Sequence, residues 1–208
     1  MTEARRTSTP QDREVLQRGL ETFAELGYDQ TTVRELARRL GVSHNFVNDR
    51  YGSKLAFWRA VVDYACAEAG PLAEDTDDAL DDDSLLAAVV HRFYRAAARH
   101  PHLHRLIADE SARESERIAY LYEAYIGPTL ATVAPSVARL AEAGRLPDVP
   151  LHLLYFAVIG PISGIIHNPL ARRLGRPDAP AAAELEAFAD GLAGLIVGGL
   201  VRGPSPMP

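Results

Sequence analysis

The sequence predicts an all-α protein with about nine helices, and three observations lead to that prediction. Apolar residues recur at spacings of three and four along the chain, and no segment shows sustained strand alternation. Capping residues and glycine or proline stops separate these segments. The single cysteine, Cys66, excludes an internal disulfide framework and a cysteine-based zinc finger, so the 208 residues must fold on an apolar core.

Four closely spaced helices are predicted in the N-terminal segment. They span about residues 11–26, 32–40, 43–51 and 53–70. Thr32 and Glu35 form the T-x-x-E pattern of a capping box and predict the start of the second helix. Ser43 and Ser53 are the predicted caps of the third and fourth helices.

The rest of the chain is predicted to form a larger helical body. Its predicted helices span residues 84–100, from 101 onward, 114–143 with a break or bend near Pro128 and Pro135, 151–167 and 181–201. Ser84 is the predicted cap of the first of these, and Pro101 opens the second. Seven acidic residues within 74–83 indicate a solvated loop, and residues 168–180 form a second, Pro/Gly-rich loop.

One stretch raises the alternative of a membrane span. Val149–Ala171 carries no Asp, Glu, Lys or Arg over 23 residues, which is long enough to cross a bilayer. It also contains three prolines, of which the central Pro161 costs a helix about 3 kcal/mol. We therefore predict a buried interface helix and no membrane association.

Charge is distributed unevenly along the chain, whose net charge is −6. Residues 1–60 hold 10 basic against 8 acidic side chains, whereas residues 61–208 hold 12 against 20. The first segment is thus the only part whose charge does not oppose a polyanion such as DNA. Residues 1–9 lack an apolar signal-peptide region, which predicts a cytoplasmic protein.

A helix-turn-helix is indicated by the turn at 40–43 between two short helices. In the second of these, Val47 and Tyr51 lie four residues apart and can pack inward, and Phe46 is left where it can contact a thymine methyl. The polar side chains left outward are His44, Asn45 and Asn48. They suit base edges or phosphates, although a polar surface helix of a bundle has the same pattern.

Residues 19–63 resemble the TetR family of bacterial repressors. The matching motifs are F-x-x-x-G-Y-x-x-T-T-V-x-x-L-A, then G-V-S, then Y-x-S-K, in the family's order and spacing. The resemblance implies a flexible arm at 1–9, a DNA-binding head at 10–56, a ligand-binding and dimerisation body at 57–202 and a disordered tail at 203–208. It also implies a palindromic or pseudo-palindromic double-stranded DNA operator and association with the bacterial nucleoid.

The resemblance assigns DNA contacts to ten residues of the head. They are Thr32, Arg34, Ser43, His44, Asn45, Phe46, Asn48, Arg50, Tyr51 and Lys54. His44, Asn45 and Phe46 fall at the family's base-reading positions, and Lys54 falls at its phosphate-clamping lysine. Asn48 and Arg50 depart from the family, which usually has a tyrosine and a histidine there.

The last two helices carry a stripe of small residues that predicts a homodimer interface. It comprises Gly160, Gly164, Ala187, Gly191, Gly194 and Gly198, and the predicted interface also includes the flanking Leu195. Each helical glycine costs roughly 0.5–1 kcal/mol, and close approach between helices would explain that cost. The resemblance places the dimer interface on these helices; packing within one subunit is the alternative.

A small-molecule ligand is implied by the resemblance, and six residues of the body are its candidate lining. They are Phe93, Tyr94, Tyr120, Tyr125, Tyr155 and Ile159. Buried tyrosines with satisfied hydroxyl groups would give the same pattern.

Two further interpretations are weaker. His100, His102 and His104 could bind a metal, but surface or core histidines explain them better, so we predict no metal and no cofactor. We find no P-loop, G-x-S-x-G or H-E-x-x-H motif, which argues against an enzyme. The predicted function is a repressor released from its operator by a ligand. The alternative is a helical ligand-binding or structural dimer whose head no longer binds DNA specifically.

Overall fold

The computed structural model describes residues 10–72, 80–166, 168–178 and 180–201. In these residues all regular structure is helical, which confirms the predicted fold class. The chain divides into two compact units. The first contains the chain up to Gly70 together with His102–Ile118, and the second contains Pro71–Pro101 together with everything from Ala119 onward.

Twelve α-helical segments are present in the described part of the chain. They are α1 (Pro10–Leu26), α2 (Val33–Leu40), α3 (Phe46–Tyr51), α4 (Lys54–Ala69), α5 (Asp82–Arg99), α6 (Pro101–Glu110), α7 (Glu116–Leu121), α8 (Gly127–Glu142), α9 (Leu151–Ile159), α10 (Ser163–Ile166), α11 (Asn168–Arg173) and α12 (Ala182–Leu200). A π-helical turn joins α7 to α8, and a 3₁₀ turn joins α9 to α10. Counting each joined pair as one bent helix leaves ten, close to the predicted nine.

The first unit is built on the apolar stripe of α1 packed against α4. Leu16, Leu20 and Phe23 of α1 are buried, as their spacing predicts. The helices approach so closely at Gly19 that a Cβ atom there would lie 2.7 Å from Cζ of Phe57. Any larger residue at position 19 would therefore push α1 away from α4.

The second unit is built on α5 packed against α12. Val90, Tyr94 and Ala97 of α5 share one buried cluster with Ala189 and Ala193 of α12. The small alanine side chains let the two helices lie close together. Ion pairs flank this contact, with Arg95 Nε 2.7 Å from Asp190 Oδ1 and an Arg99 nitrogen 2.7 Å from Glu186 Oε1.

Two helix starts differ from the sequence prediction. The cap of α5 is Asp81, whose carboxylate accepts from the backbone N–H of Ser84 at 2.8 Å, so Ser84 is not the cap. Asp81 also brings a negative charge to the positive end of the helix dipole, which a serine cannot do. The start of α3 is the second difference, and it bears on the candidate site below.

The bend near Pro128 is a π-helical turn over Tyr122–Ile126. The Gly127 N–H bonds to the Tyr122 carbonyl, five residues back, and a Cβ atom at Gly127 would lie only 2.9 Å from that oxygen. Pro135, in contrast, lies inside α8, which continues past it, so the predicted break does not occur there. Its ring and Ala131, whose carbonyl it leaves unbonded, are both exposed to water.

The charge-free stretch at 149–171 is divided rather than continuous. Pro161 lies within the 3₁₀ turn Gly160–Ile162 that separates α9 from α10, because proline lacks the N–H needed to continue the α-helical ladder. Within the described residues, no helix is both long and apolar enough to span a membrane. The predicted loop at 168–180 is wrong in part, since α11 occupies Asn168–Arg173.

The unit boundaries differ from the predicted division at residue 56. The first unit also takes the rest of α4 and the segment His102–Ile118, because α6 and α7 bury Leu103, Leu106 and Arg117 within it. The predicted arm at 1–9, most of the acidic loop and the tail at 203–208 lie outside the described residues.

Candidate nucleic-acid interface

The second helix of the head begins and ends at the residues that the sequence predicts. The Thr32 hydroxyl accepts from the Glu35 backbone N–H at 3.1 Å, which closes the N-terminus of α2. Gly41 ends the helix with φ of 69°, a left-handed conformation that glycine adopts without strain. Leu36, Ala37 and Leu40 are buried, so α2 is anchored by one face.

The third helix begins later than predicted. Ser43 does not cap it, because α3 starts at Phe46 and the Phe46 N–H bonds to the Ser43 carbonyl at 3.1 Å in a turn. His44 and Asn45 therefore lie in this turn, just before the first residue of α3. The residue before α3 is Asn45, whose side chain makes no capping hydrogen bond.

The polar side chains of this region point to solvent. Val47 has no exposed surface and fixes α3 against the rest of the first unit. His44, Asn45 and Asn48 are all exposed. These three side chains offer donors and acceptors on one anchored turn and helix, a chemistry that fits base edges and phosphates.

Two aromatic residues of α3 are half-buried. The rings of Phe46 and Tyr51 meet edge to face at 6.2 Å, and Tyr51 meets Phe57 of α4 at 4.8 Å. Burial raises the pKa of Tyr51, while the neighbouring Arg50 opposes that rise. Tyr51 thus packs inward as its spacing with Val47 predicts. Only part of the Phe46 ring is exposed and able to contact a ligand.

Most cations of the head already have acidic partners. Arg50 lies 2.5 Å from Asp12 of α1, and Arg38 and Arg39 both hydrogen-bond to Glu35. These bonds hold the pKa of Glu35 down at about 2. Thr32 and Arg34 are exposed beside them. The positive charge available to DNA is therefore smaller than the number of arginines suggests.

The head's single lysine is bound within the protein. Lys54 Nζ donates to the carbonyls of Tyr28 and Thr31 at 3.0 and 2.9 Å and lies 3.9 Å from the Tyr28 ring centroid. Burial lowers its pKa. An ammonium has three donors, so the geometry leaves room for one further acceptor.

A group of residues behind the head has no counterpart among the predicted site residues. Arg117 is buried and donates to the buried Glu110, and its guanidinium lies 4.0 Å from the Tyr28 ring centroid. The seven-residue spacing of Glu110 and Arg117 crosses the end of α6, so helical periodicity does not reveal the pair. A sequence signal exists only for Tyr28, which belongs to the motif G-Y-x-x-T.

The predicted ligand residues of the second unit do not form one group. Phe93 and Tyr94 are buried in the core cluster, against which Ile159 packs, and the Tyr94 hydroxyl donates to the Val158 carbonyl at 2.5 Å. Burial raises the pKa of Tyr94 to about 12. The rings of Tyr120 and Tyr125 meet edge to face at 6.3 Å. Tyr155 instead contacts Phe156 at 5.3 Å, and burial raises its pKa.

A groove of about 820 Å³ lies among α10, α11 and α12. Its lining is mostly apolar and includes Ile165, Leu170, Leu174, Leu185 and Phe188. None of the six predicted ligand residues belongs to that lining.

The stripe of small residues lies on the exposed side of its helices. A Cβ atom added at Gly160, Gly164, Gly191, Gly194 or Gly198 would meet nothing within 4 Å. Ala187 is exposed too, and Leu195 keeps 74% of its surface open. The face of α12 that packs within the chain is instead the one with Ala189 and Ala193. Packing within one subunit therefore does not explain these glycines.

The three histidines between positions 100 and 104 lie in different environments. His104 is buried, His102 is exposed and His100 caps the end of α5 through its backbone. In the described part of the chain, no group of three or more His, Cys, Asp or Glu side chains could hold a metal ion.

An anchored α2–turn–α3 unit with a polar outer surface, carried by a larger helical chain, defines the class of helix-turn-helix DNA-binding regulators. Residues 15–61 match the family model described as bacterial regulatory proteins, tetR family. This segment of the chain is therefore similar to the DNA-binding segment of the TetR family of bacterial regulatory proteins.

Solved structures extend the likeness to the rest of the chain. A TetR-family regulator from Streptomyces coelicolor is 23% identical with a TM-score of 0.67, covering 97% of this chain and 96% of that one. PfmR from Thermus thermophilus is 22% identical with a TM-score of 0.66, covering 95% and 100%. FadR from Bacillus halodurans, a fatty acid degradation regulator, is 16% identical with a TM-score of 0.64, covering 95% and 100%. The TM-scores show that nearly the whole chain has the fold of these structures. A search of curated protein sequences finds no match.

Proposed function

We propose that this protein is a homodimeric transcriptional repressor that binds a palindromic or pseudo-palindromic operator and is released by a small-molecule ligand. The observation that carries the proposal is the exposed polar surface of His44, Asn45 and Asn48 on a turn and helix fixed by the buried Val47. A polar surface that only contacts water does not require a helix-turn-helix that holds its side chains in fixed positions.

A dimer supplies the second half of the recognition surface. The open glycine stripe of α12 and the exposed Leu195 give a face on which a second copy can approach closely. Two copies related by a two-fold axis would present two α3 helices to half-sites about 34–36 Å apart, one turn of DNA. The operator is expected to have matching symmetry for that reason.

Ligand release follows as a population shift. A ligand that binds better to the dimer geometry unable to span two major grooves would draw the population away from DNA. The candidate lining remains Phe93, Tyr94, Tyr120, Tyr125, Tyr155 and Ile159. Of these, Tyr94 already donates its hydroxyl to the Val158 carbonyl within the core. A repressor of this kind works in the cytoplasm, on the nucleoid while it is bound to DNA.

The test is binding of the purified protein to its own promoter-proximal DNA and to a scrambled duplex, at about 50 and 200 mM salt. Preference for the promoter, with a steep loss of affinity at the higher salt, is the expected result. The matched control is the triple variant His44→Ala/Asn45→Ala/Asn48→Ala, which keeps the fold because all three side chains are exposed. It should lose the preference and keep the weak binding.

The competing function is a helical dimer whose head no longer recognises DNA. The observation in its favour is the internal pairing of Arg38, Arg39 and Arg50 with acidic partners, which leaves little free positive charge on the head. Equal and weak binding of the wild-type protein to both duplexes would favour this function and overturn the repressor.

A further inference from the structure

The turn between α1 and α2 is held by several elements through one aromatic ring. Two cations lie over the ring of Tyr28, with Lys54 Nζ at 3.9 Å and the Arg117 guanidinium carbon at 4.0 Å from its centroid. Phe23 stacks on the same ring at 5.9 Å, and Trp58 meets it edge-on at 6.4 Å. The turn is thereby tied to α1, α4 and α7.

Arg117 is the cation that comes from a distant part of the sequence. Its Nε donates to Glu110 Oε2 at 2.9 Å, and one of its terminal nitrogens lies 3.6 Å from Asp29 Oδ1. Arg117 is 8% exposed and Glu110 only 1%, so this pair is formed away from water. A buried pair fixes its partners in one geometry, because either charge left alone there is strongly unfavourable.

We propose that Arg117 is a positioning residue for the DNA-binding head, a role that rests on the function proposed above. Its guanidinium fixes the Gly27–Thr31 turn through Tyr28 and Asp29. Within the turn the Thr31 hydroxyl donates to the Gly27 carbonyl at 2.6 Å, and the next residue, Thr32, caps α2. Arg117 thus sets where α2 begins without itself being one of the exposed residues that could touch DNA.

Hydrogen–deuterium exchange of the free protein tests the positioning role without DNA. The variant is Tyr28→Leu, which removes the ring that carries both cations and leaves the Glu110–Arg117 pair intact. Its matched control, Tyr28→Phe, keeps the ring. We expect amides of residues 27–40 to exchange at least about tenfold faster in Tyr28→Leu and at the wild-type rate in Tyr28→Phe.

Arg117 itself is tested in a second variant that avoids an unpaired buried carboxylate. Glu110→Gln/Arg117→Gln replaces the charged pair by two amides that can still hydrogen-bond. We expect faster exchange in residues 27–40 and operator affinity about tenfold lower, with the slope of log affinity against log salt unchanged. The control is Arg105→Gln, which removes one exposed positive charge from α6 and should leave the exchange of residues 27–40 unchanged.

Two results would overturn the assignment. One is wild-type exchange in residues 27–40 for both Tyr28→Leu and the double variant while both remain folded by circular dichroism. The other is a fall of the salt slope by about one in the double variant, which would make Arg117 a direct phosphate contact. If the wild-type protein shows no promoter preference, the proposed repressor fails, and the exchange comparison still decides the role of Arg117 in the turn.

Discussion

The two compact units differ in how far they expose their large apolar side chains. Among the described residues, every large hydrophobic side chain that remains exposed lies in the second unit, and Leu170, Leu174 and Leu195 keep 61%, 80% and 74% of their surface open. The first unit buries its aromatic and aliphatic side chains and exposes polar ones around α3. The first unit is therefore complete as a single copy, whereas the second leaves apolar surface that a partner would cover.

The polar surface of the first unit suits recognition of DNA, whereas the apolar surface of the second unit suits assembly with another chain. A polar surface can rest in water until it meets a polar ligand such as DNA, because both states satisfy its hydrogen bonds. An exposed apolar face gains free energy by being covered, at about 25 cal/mol for each Å² removed from water. Each unit thus carries the surface chemistry that suits the partner proposed for it.

The largest effect is expected from blocking the apolar face of the second unit. Gly194→Leu adds a side chain that the single chain has room for, since a Cβ atom there meets nothing within 4 Å. In a dimer the new side chain would occupy the space of the partner helix. Because each copy carries the substitution, the clash would occur twice. Overpacking costs roughly 1–3 kcal/mol, so we expect the dimer dissociation constant to rise at least about tenfold.

Sedimentation velocity measures this change, with circular dichroism to verify that the variant keeps its helices. Ala138→Leu is the matched control, an equally exposed helical position on α8, and should sediment as the wild type does. A Gly194→Leu protein that sediments like the wild type would contradict the interface on α12.

The next effect concerns Lys54 in the first unit. Lys54→Met removes the donor to the carbonyls of Tyr28 and Thr31, and hydrogen bonds of a charged donor contribute about 1.5–3 kcal/mol. We expect urea denaturation to give a free energy of unfolding lower by about 2 kcal/mol.

Arg34→Met is the control variant for Lys54→Met. Arg34 is exposed on α2, so its loss should leave the free energy of unfolding unchanged and weaken binding to all DNA sequences alike. Equal stability of the two variants would show that Lys54 does not hold the turn.

A smaller and more selective effect is expected at the recognition surface. His44→Ala and Asn45→Ala each remove one exposed side chain, so the protein should keep its stability. Loss of a base contact costs about 1–3 kcal/mol for one base pair only. Binding to a set of operators with single base changes is the measurement. A uniform loss across the set would contradict base reading by these residues.

The smallest expected effect is on acid stability of the head. Hydrogen bonds from Arg38 and Arg39 lower the pKa of Glu35 from 4.5 to about 2. Because the folded-state pKa lies below the unfolded one, the contribution of Glu35 to stability is complete above pH 4.5 and is lost as pH falls toward 2. Glu35→Gln should therefore lower the urea midpoint at pH 5 and have less effect at pH 3.

Glu68→Gln is the control for the acid experiment, because Glu68 is exposed on α4 of the same unit. It should change the urea midpoint by the same small amount at both pH values. A Glu35→Gln protein that behaves like this control would mean that the arginine bonds of Glu35 do not stabilise the fold.

Much of the first unit could be predicted from local sequence. The Thr32 cap, the Gly41 stop and the Ser53 cap of α4 follow from short-range chemistry, and the structure forms all three. The start of α3 was predicted wrongly, since Ser43 is a good cap residue but its carbonyl accepts from the Phe46 N–H in a turn that precedes the helix.

The second unit was less predictable for a different reason. Its helix α11 lies in a Pro/Gly-rich stretch whose composition favours a loop, and the predicted tyrosines have helical spacing whether they line a pocket or fill a core. The structure separates them: Tyr94 bonds to the Val158 carbonyl, while Tyr120 pairs with Tyr125.

Local patterns predict the helical class and the helix-turn-helix correctly, because periodicity, caps and motif spacing act over a few residues. They do not reveal that the glycines of α12 face outward, that Lys54 is bound to the turn or that Arg117 reaches Tyr28. These facts depend on contacts between residues far apart in the chain. Such contacts are fixed by how whole helices pack, which no local pattern records.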